Sequence, residues 1–496
     1  MDAVVIGSGP NGLVAGATLA RYGWRVLVLE TQRRPGGAVY SEPLTLPGFL
    51  HDVGAAFFPF ADDSPAFRFL DLQGAGLRWV NAPRESCHPA GDGVVAISRD
   101  IDQSVASFGA DGPAWLKLAR WQEKMGSRLA EAILAPLPAL RPAWKLGVGN
   151  LLRLARIGLA SPAGFSRRWF RSEAARRVIP GLALHVDLGP DDFSGAGLGL
   201  VLALLASRTG FRIPVGGAKA ITEALLVRLQ QFHGEIRVGT PVTGVVVRQG
   251  RAVAVRTAGG EEIPAQAILA DVGPPALEKL VAGGAMSWWL RSRLKRFRYG
   301  WGTFKVDWAL RGPVPWLHGE ARESAVVHAG DSLADLSTFT RQVRAGRLPT
   351  RPYLVIGQQS LVDSQRAPAG EHTLWAYSHV PANPLPGGWR QHREAFADRI
   401  EQRIEGLAPG FREQIRARAV VAPPDLEAMD ENLVGGDLGG GSAHFDQQLF
   451  FRPAFPYFRH DMGIRGLYLA SASTHPGAGV HGACGYNAAL QALQAR

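Results

Sequence analysis

The 496-residue chain predicts an α/β fold: a parallel sheet, a second region of α+β type, and a helical cap. Three observations predict it. The first thirty residues run strand, glycine turn, helix, strand. Residues 115–180 carry apolar side chains at spacings of three and four, as one face of a helix does. Between 290 and 455, two stretches alternate polar and apolar residues, as half-buried strands do.

The opening unit is the most informative. Asp2-Ala3-Val4-Val5-Ile6 is apolar enough for a strand buried on both faces. Gly7-Ser8-Gly9-Pro10-Asn11-Gly12 follows as a G-x-G-x-x-G turn. Gly7 permits the tight turn, Gly9 lets a pyrophosphate approach the backbone, and Gly12 lets helix and strand pack closely. Beyond Pro10 and Asn11 the helix runs to Tyr22, and the free N–H groups at its start face the phosphates. Arg25 to Leu29 is the second strand. Glu30, 18 residues past Gly12, is placed to accept from the ribose hydroxyls. Gly36-Gly37 then lets backbone approach the pyrophosphate from the other side; the alternative is an ordinary loop. An acid followed closely by paired glycines resembles the glutathione-reductase type of Rossmann FAD-binding fold, which implies FAD rather than NAD.

Composition bounds the rest. With 46% hydrophobic and 20% charged residues the chain reads as globular. Its longest apolar run, near 198–206, is too short to span a bilayer. A first strand at residue 2 predicts no leader peptide. Cys87 and Cys484 form no C-x-x-C pair, which excludes a thiol–disulfide centre and predicts a cytoplasmic location. No Cys/His cluster suggests a metal. Residues 115–180 hold thirteen Lys/Arg against three acids, nearly all of the net charge of +11. No nucleic-acid motif accompanies them, so an anionic membrane surface or an acidic substrate is the expected partner and nucleic acid is not. Trp115, Trp121, Trp144, Trp169 and Phe170 interleave with the cations, which favours the membrane and predicts a peripheral, lipid-facing segment. The alternative is a solvated basic face.

Five segments follow: 1–75 and 210–289 for the cofactor, 76–209 as substrate and helical cap region, 290–455 as the antiparallel substrate domain, and 456–496 closing the cofactor domain. His51-Asp52 reads as a buried pair beside glycines, either close to chemistry or a loop whose Asp52 makes a turn hydrogen bond. Trp115, Leu118, Gln122, Met125, Leu129 and Ile133 share a helix face that Pro136 ends. A second stripe runs Trp144, Val148, Leu151, Ala155, Leu159, weakened by Gly147 and Gly149. Short strands at hairpin spacing fill 235–271. Gly302 to Leu310 and His372 to Val380 read as strands, and Arg390 to Leu407 as a helix. Gly466 to Ala470 is a buried strand, and 471–485 is a loop of small residues that lets backbone approach a flat ring. The helix from Asn487 closes the chain.

Taken together, the N-terminal turn with Glu30 and Gly36-Gly37, Pro214-Val215-Gly216-Gly217, Gly302 to Leu310, and Gly466 to Ala488 resemble the phytoene desaturase-like flavoproteins. Thr474-His475-Pro476-Gly477 with Gly479-Val480, and Gly485-Tyr486-Asn487, carry the resemblance most specifically. Glu431-Asn432 with Gly435-Gly436-Asp437 points to the pyridine nucleotide-disulfide oxidoreductase-like branch. The resemblance implies FAD held by Gly7, Gly9, Gly12, Glu30, Gly36 and Gly37, with the backbone of Val242 at the adenine and Gly477, Gly479 and Val480 against the flavin ring. It implies hydride transfer from an apolar, polyene- or isoprenoid-like substrate to flavin N5. The polar candidates near that ring are His51, Asp52, His475 and His481. Cys484 stands where such proteins often carry Pro, which leaves a reactive thiol as an option. No second G-x-G-x-x-G unit is present, so oxygen or a quinone is the expected electron acceptor. Two alternatives stay open: a flavin amine oxidase, which an aromatic cage and an active-site Lys would favour, and a non-catalytic FAD-stabilised interaction protein.

Overall fold

The structure, a computed structural model, describes all residues except 282–283, 385 and 496. Its centre is a five-stranded parallel sheet in the order Leu467–Leu469, Ala267–Ala270, Ala3–Ile6, Val26–Leu29, Glu235–Arg237. Every residue of Ala3–Ile6 is buried, because that strand is covered on both faces and paired on both edges: Ala3 sits beside Ala267 on one side and Val26 on the other. The helix Pro10–Arg21 leaves the sheet with Pro10 in its first turn, where the missing N–H costs nothing. Helices Lys219–Gln231 and Ala483–Gln494 pack against it. Segments from both ends and the middle of the chain thus build one nucleotide-binding layer. A three-stranded antiparallel meander, Val242–Arg248, Arg251–Thr257 and Glu262–Pro264, stands beside it.

The second sheet has seven strands in the order Ile415–Val421, Gly302–Leu310, His372–Val380, Leu354–Gly357, Ser324–Ala329, Arg84–Ala90, Gly93–Ile97. The strands Gly302–Leu310 and His372–Val380 occupy the residues their alternation predicts. The period-two pattern sorts their side chains. Phe304, Val306, Trp308, Leu374, Ala376 and Val380 join the core beneath helix Gly388–Glu405. Thr303, Lys305, Asp307, Trp375, Tyr377 and His379, the odd-numbered set, face the opposite side, toward the nucleotide-binding layer.

The helical cap corrects two expectations. The stripe from Trp115 to Ile133 is not one helix. Gly112–Met125 stops at Gly126, whose φ of 56° is left-handed, and Arg128–Leu134 restarts after it. The aromatic residues read as lipid-facing are mostly core: Trp115 stacks on Phe108 at 4.7 Å, Phe170 packs on the same ring, and Trp121 is buried with its indole N–H on Asn150. Several of the cations are structural as well. Arg177 is buried and paired with Asp92, Arg153 lies over Trp121, and Arg128 donates to the carbonyl of Met125. The second stripe splits at Gly147 into Leu140–Leu146 and Val148–Gly158, and much of it faces outward: Trp144 is 82% exposed and Val148 65%. No helix of the described residues is long and apolar enough to cross a membrane.

Candidate active site

The glycine turn is built so tightly that side chains cannot enter. A Cβ on Gly7 would meet the Asp271 carbonyl oxygen at 2.9 Å, one on Gly9 the Asp271 carboxylate at 2.7 Å, and one on Gly12 the Gly7 carbonyl oxygen at 2.2 Å. Asp271, at the end of the strand Ala267–Ala270, accepts from the Gly12 N–H at 2.8 Å. Sequence reasoning missed it, although an Asp directly following a buried strand was a signal. Asn11, beside Gly12, is buried, and its carbonyl faces Gly485 of the closing helix.

Glu30 is fixed at the end of Val26–Leu29. Its Oε2 accepts from the Ser8 N–H and hydroxyl at 2.8 and 2.6 Å, and its Oε1 from the Gln32 N–H at 2.8 Å. Its carbonyl accepts from Thr240 N–H, which sets the backbone of 240–242, and so Val242, beside it. Gly36 donates to the Ser8 carbonyl at 3.0 Å, and a Cβ on Gly37 would come 3.2 Å from Gly9 Cα. The two glycine segments face one another across the turn. These features fit a dinucleotide: a helix start with Pro10 in its first turn, bare backbone on two sides, and a buried acid at ribose distance along the chain.

Three acids crowd this cradle. Burial, with Asp430 and Glu30 nearby, pushes the Asp271 carboxyl up to about 8. Its folded value lies above its unfolded one, so the native state binds the proton more tightly. The stability this gives is fully present below about pH 4 and is lost as pH rises toward 8. Near pH 6 the slope is about 1.4 kcal/mol per pH unit. Asp271→Asn keeps an acceptor for Gly12 and removes the titration. Thermal unfolding from pH 5 to 8 should therefore fall less steeply in Asp271→Asn than in wild type, the variant gaining most at pH 8. Parallel curves would place the titration elsewhere.

Near the loop of small residues, Gly477 and Gly479 have φ of 102° and 129°, and Val480 joins them at 45°. Gly477 lies against the buried Arg452. A Cβ on Gly479 would meet Phe60 and His481 at 3.3 and 3.2 Å. Burial holds the Cys484 thiol up at about 11, so it stays a neutral thiol within 3.6 Å of the Thr474 and Gly477 carbonyls.

The four polar candidates lie in dense networks. Asp52 accepts from Ser41, the Ala218 N–H, Arg366 and Gln359, tying the cofactor layer to the substrate region. His51 contacts Thr45 at 2.8 Å and Asp307 at 3.4 Å, and Asp307 pairs with Lys305. His481 accepts from Ala483 N–H at 3.0 Å at the start of the closing helix, and burial lowers its pKa to about 4. His475 is lowered to about 3 for the same reason, the backbone of Ala135 offsetting part of it.

A cavity of about 180 Å³ lies between the two layers, and none of these four residues lines it. Gly54 to Phe57, Gly439, Gly441 and Ala478 form one side; Trp301, Thr303, Trp375, Tyr377 and His379 of the second sheet form another, with His185 at the edge. Asp437 lines it while accepting from the N–H groups of Gly300, Gly439 and Gly441 at 2.7–2.8 Å. Behind His185 runs a buried histidine group. His185 Nε2 meets His328 Nε2 at 2.8 Å, His88 stacks on His328 at 4.4 Å, and Ser86 Oγ bridges those two. Burial lowers all three, His185 to about 3, so they are neutral. No local motif marked these residues. Only the alternation of 302–310 and 372–380 signalled a polar face there.

The nucleotide-binding segment matches the model of a NAD(P)-binding Rossmann-like domain over residues 5–71. The chain is 26% identical to pyridine nucleotide-disulfide oxidoreductase domain-containing protein 2 of Rattus norvegicus, over 98% of this chain and 92% of that one. It is 25% identical to the neurosporene-forming phytoene desaturase of Rhodobacter capsulatus, over 96% and 91%. In fold it resembles an oxidoreductase of Methanosarcina mazei, with a TM-score of 0.65 at 16% identity and full coverage of both chains. A putrescine oxidase variant superposes with a TM-score of 0.64 at 16% identity, over 99% and 98%. The likeness to these oxidoreductases and desaturases runs along nearly the whole length of the chain, on a shared Rossmann-type layer.

Proposed function

We propose that the protein is an FAD-dependent oxidoreductase that removes or relocates hydrogen on an apolar, isoprenoid-like molecule. One observation carries this reading: the chain that leaves the glycine cradle leads to the aromatic-walled cavity, with Gly37 beside Gly9, Gly54 against Ala38, and Gly54 to Phe57 lining the cavity. Gly7, Gly9, Gly12, Gly36 and Gly37 would admit the pyrophosphate, Glu30 the ribose, the backbone of Val242 the adenine, and Gly477, Gly479 and Val480 the ring. Bound FAD would supply the hydride acceptor, at N5 by resemblance to the family, with oxygen or a quinone as final acceptor. The protein's own part is to orient the substrate between Phe57, Trp301 and Trp375 and to exclude water.

The purified protein should be yellow and release FAD on denaturation, and Glu30→Arg should reduce the occupancy by replacing the ribose acceptor with a clash. At a thousand times its dissociation constant, FAD would add about 4 kcal/mol of stability. A colourless protein whose melting temperature ignores added FAD overturns the reading. The amine oxidase alternative takes support from the aromatic wall and from the putrescine oxidase likeness in fold. Against it, Lys305 does not line the cavity: it is buried behind Trp375 in an ion pair with Asp307.

A membrane role stands on a narrower surface than the composition implied. Leu140, Trp144, Val148 and Leu152 are exposed on the outer helices of the cap, flanked by the exposed Arg141, Lys145 and Arg156. Apolar residues rimmed by cations suit an anionic bilayer. The protein should sediment with anionic vesicles and not neutral ones, release in high salt, and lose binding in a Leu140→Ser/Trp144→Ser variant. No binding to either vesicle leaves a solvated cap.

A further inference from the structure

Six exposed apolar side chains gather beside the cavity: Phe193, Phe445, Leu449, Phe450, Phe451 and Phe455. Their rings touch in series. Phe193 meets Phe445 edge-on at 5.6 Å, and Phe445 meets Phe451 at 6.2 Å. Phe450 and Phe455 both pack on Phe458, at 5.0 and 6.3 Å. Leu449 joins the two groups along the chain, with a φ of 51° that few non-glycine residues adopt. The face borders the cavity through two segments. Asp187 and Gly441 are on the lining, and Asp187 accepts from the Ser442 hydroxyl and the Ala443 N–H at 2.5 and 2.7 Å. From there one segment surfaces at Phe193 and the other at Phe445, where the two rings meet. Large apolar faces rimmed by polar groups mark interaction surfaces.

The rim sets the partner. Arg459 lies over the Phe458 ring. Tyr457 packs on Trp289 of the helix Trp288–Lys295 at 6.4 Å, and Arg293 lies over that indole. Arg293, Arg296 and Arg459 are exposed and form no ion pair among the described residues. Asp446, an acid within the face, is already paired with Arg298. The uncompensated charge beside the aromatic rings is therefore positive. A second copy of this chain is a poor occupant, because a twofold contact would set the same cations against each other. An anionic lipid surface complements both features: Phe and Leu enter the acyl boundary, and the Arg side chains stay among the headgroups.

We propose that the aromatic face formed by Phe193 and residues 445–458 docks on an anionic lipid bilayer and sets the cavity beside the membrane surface. The proposal rests on reading the substrate as apolar, since such a molecule partitions into lipid and would be collected from it. It names a contact surface separate in sequence from the cap helices at 140–158, and one that the cavity lining itself leads to.

The test floats the purified protein with vesicles of mixed phosphatidylglycerol and phosphatidylcholine, and with phosphatidylcholine alone. Wild type should partition onto the mixed vesicles. In Phe450→Ser/Phe455→Ser that partition should fall at least about tenfold, through loss of two inserted rings. In Arg293→Glu/Arg459→Glu it should fall at least about tenfold as well, and added salt should weaken the wild type in the same direction. All four side chains are exposed, so melting temperatures should stay near wild type. Cys87 and Cys484 are buried, so a fluorophore attached to Phe450→Cys reads this face and covers the case in which a double variant misfolds. Its emission should shift to the blue on mixed vesicles and stay in place with phosphatidylcholine. A label that remains in water, or vesicle binding that survives Phe450→Ser/Phe455→Ser, overturns the proposal. So does binding lost only in Leu140→Ser/Trp144→Ser, which would leave the cap as the docking surface. A concentration-dependent dimer broken by the two serines, without vesicle binding, overturns it in favour of a second copy. None of these measurements needs the flavin: a colourless wild-type protein fails the cofactor reading, and the vesicles still decide this face.

Discussion

Gly485→Ala is expected to disable both stability and cofactor retention. Gly485 lies in the first turn of the closing helix Ala483–Gln494, where it crosses the helix Pro10–Arg21. A Cβ there would sit 1.9 Å from the Asn11 carbonyl oxygen and 2.7 Å from its carbon. Both partners are backbone, so no side chain can rotate away. Overpacking costs about 1–3 kcal/mol where side chains can yield, and more where they cannot. The displaced element is the helix start proposed to face the dinucleotide, so lost stability and lost flavin should appear together. Gly149→Ala is the matching control: no atom lies within 4 Å of its added methyl. In the helix Val148–Gly158 it should stabilise by up to about 1 kcal/mol. Denaturant melts and flavin content after gel filtration read both. A Gly485→Ala protein that melts like wild type would mean that the two helices can separate freely.

Arg452→Met should cost a similar amount through the opposite defect. Arg452 is 1% exposed, and among the described residues its guanidinium forms no ion pair, Asp437 and Asp187 acting on it only from a distance. It donates instead to the carbonyls of Ala472, Ser442 and Gly440 at 2.8–3.0 Å, with Gly439 at 3.4 Å. Desolvation lowers its pKa, yet a guanidinium stays protonated in proteins. One cation thus organises the turn at 439–442 and the start of the small-residue loop. Met fills the volume and leaves those carbonyls without a donor, each worth about 1–3 kcal/mol. The carbonyls act as a unit, so a total loss of at least about 3 kcal/mol is expected. Lys, a point donor without the planar fork, should recover only part. A loss below about 1 kcal/mol for Met would show that the turn holds itself.

The sequence was legible where local chemistry dictates local geometry. The strand–turn–helix unit at 3–21 and the alternating strands 302–310 and 372–380 fall where the pattern places them. Their periods follow from backbone geometry alone. The helix stop at Gly126 was not legible, because three downstream prolines are stronger breakers on paper than one glycine. Tryptophans among arginines suggested a lipid surface. Burial of Trp115 against Phe108 depends on a segment that contacts it only in the fold. The cavity wall was the least legible feature. Thr303, Trp375 and His379 meet there with Phe57 and His185 because two layers close on each other, and no spacing in the chain encodes that.

The strand order of the parallel sheet also bears on how the protein is made. Ala3–Ile6 precedes the other strands of this sheet, yet one of its two neighbours, Ala267–Ala270, follows more than 250 residues later, and the strand that completes that edge, Leu467–Leu469, later still. At about 5–20 residues per second, synthesis leaves the nascent glycine turn without its full framework for on the order of half a minute. Until Ala267–Ala270 is made, Ala3–Ile6 can pair only with Val26–Leu29, whose far edge later takes Glu235–Arg237, so the other edge of Ala3–Ile6 stays exposed to neighbouring ribosomes' products. Capture of the proposed cofactor is therefore expected late, after the closing helix docks. Slowing translation before residue 267 should lengthen dependence on chaperones, whereas slowing it after residue 470 should not.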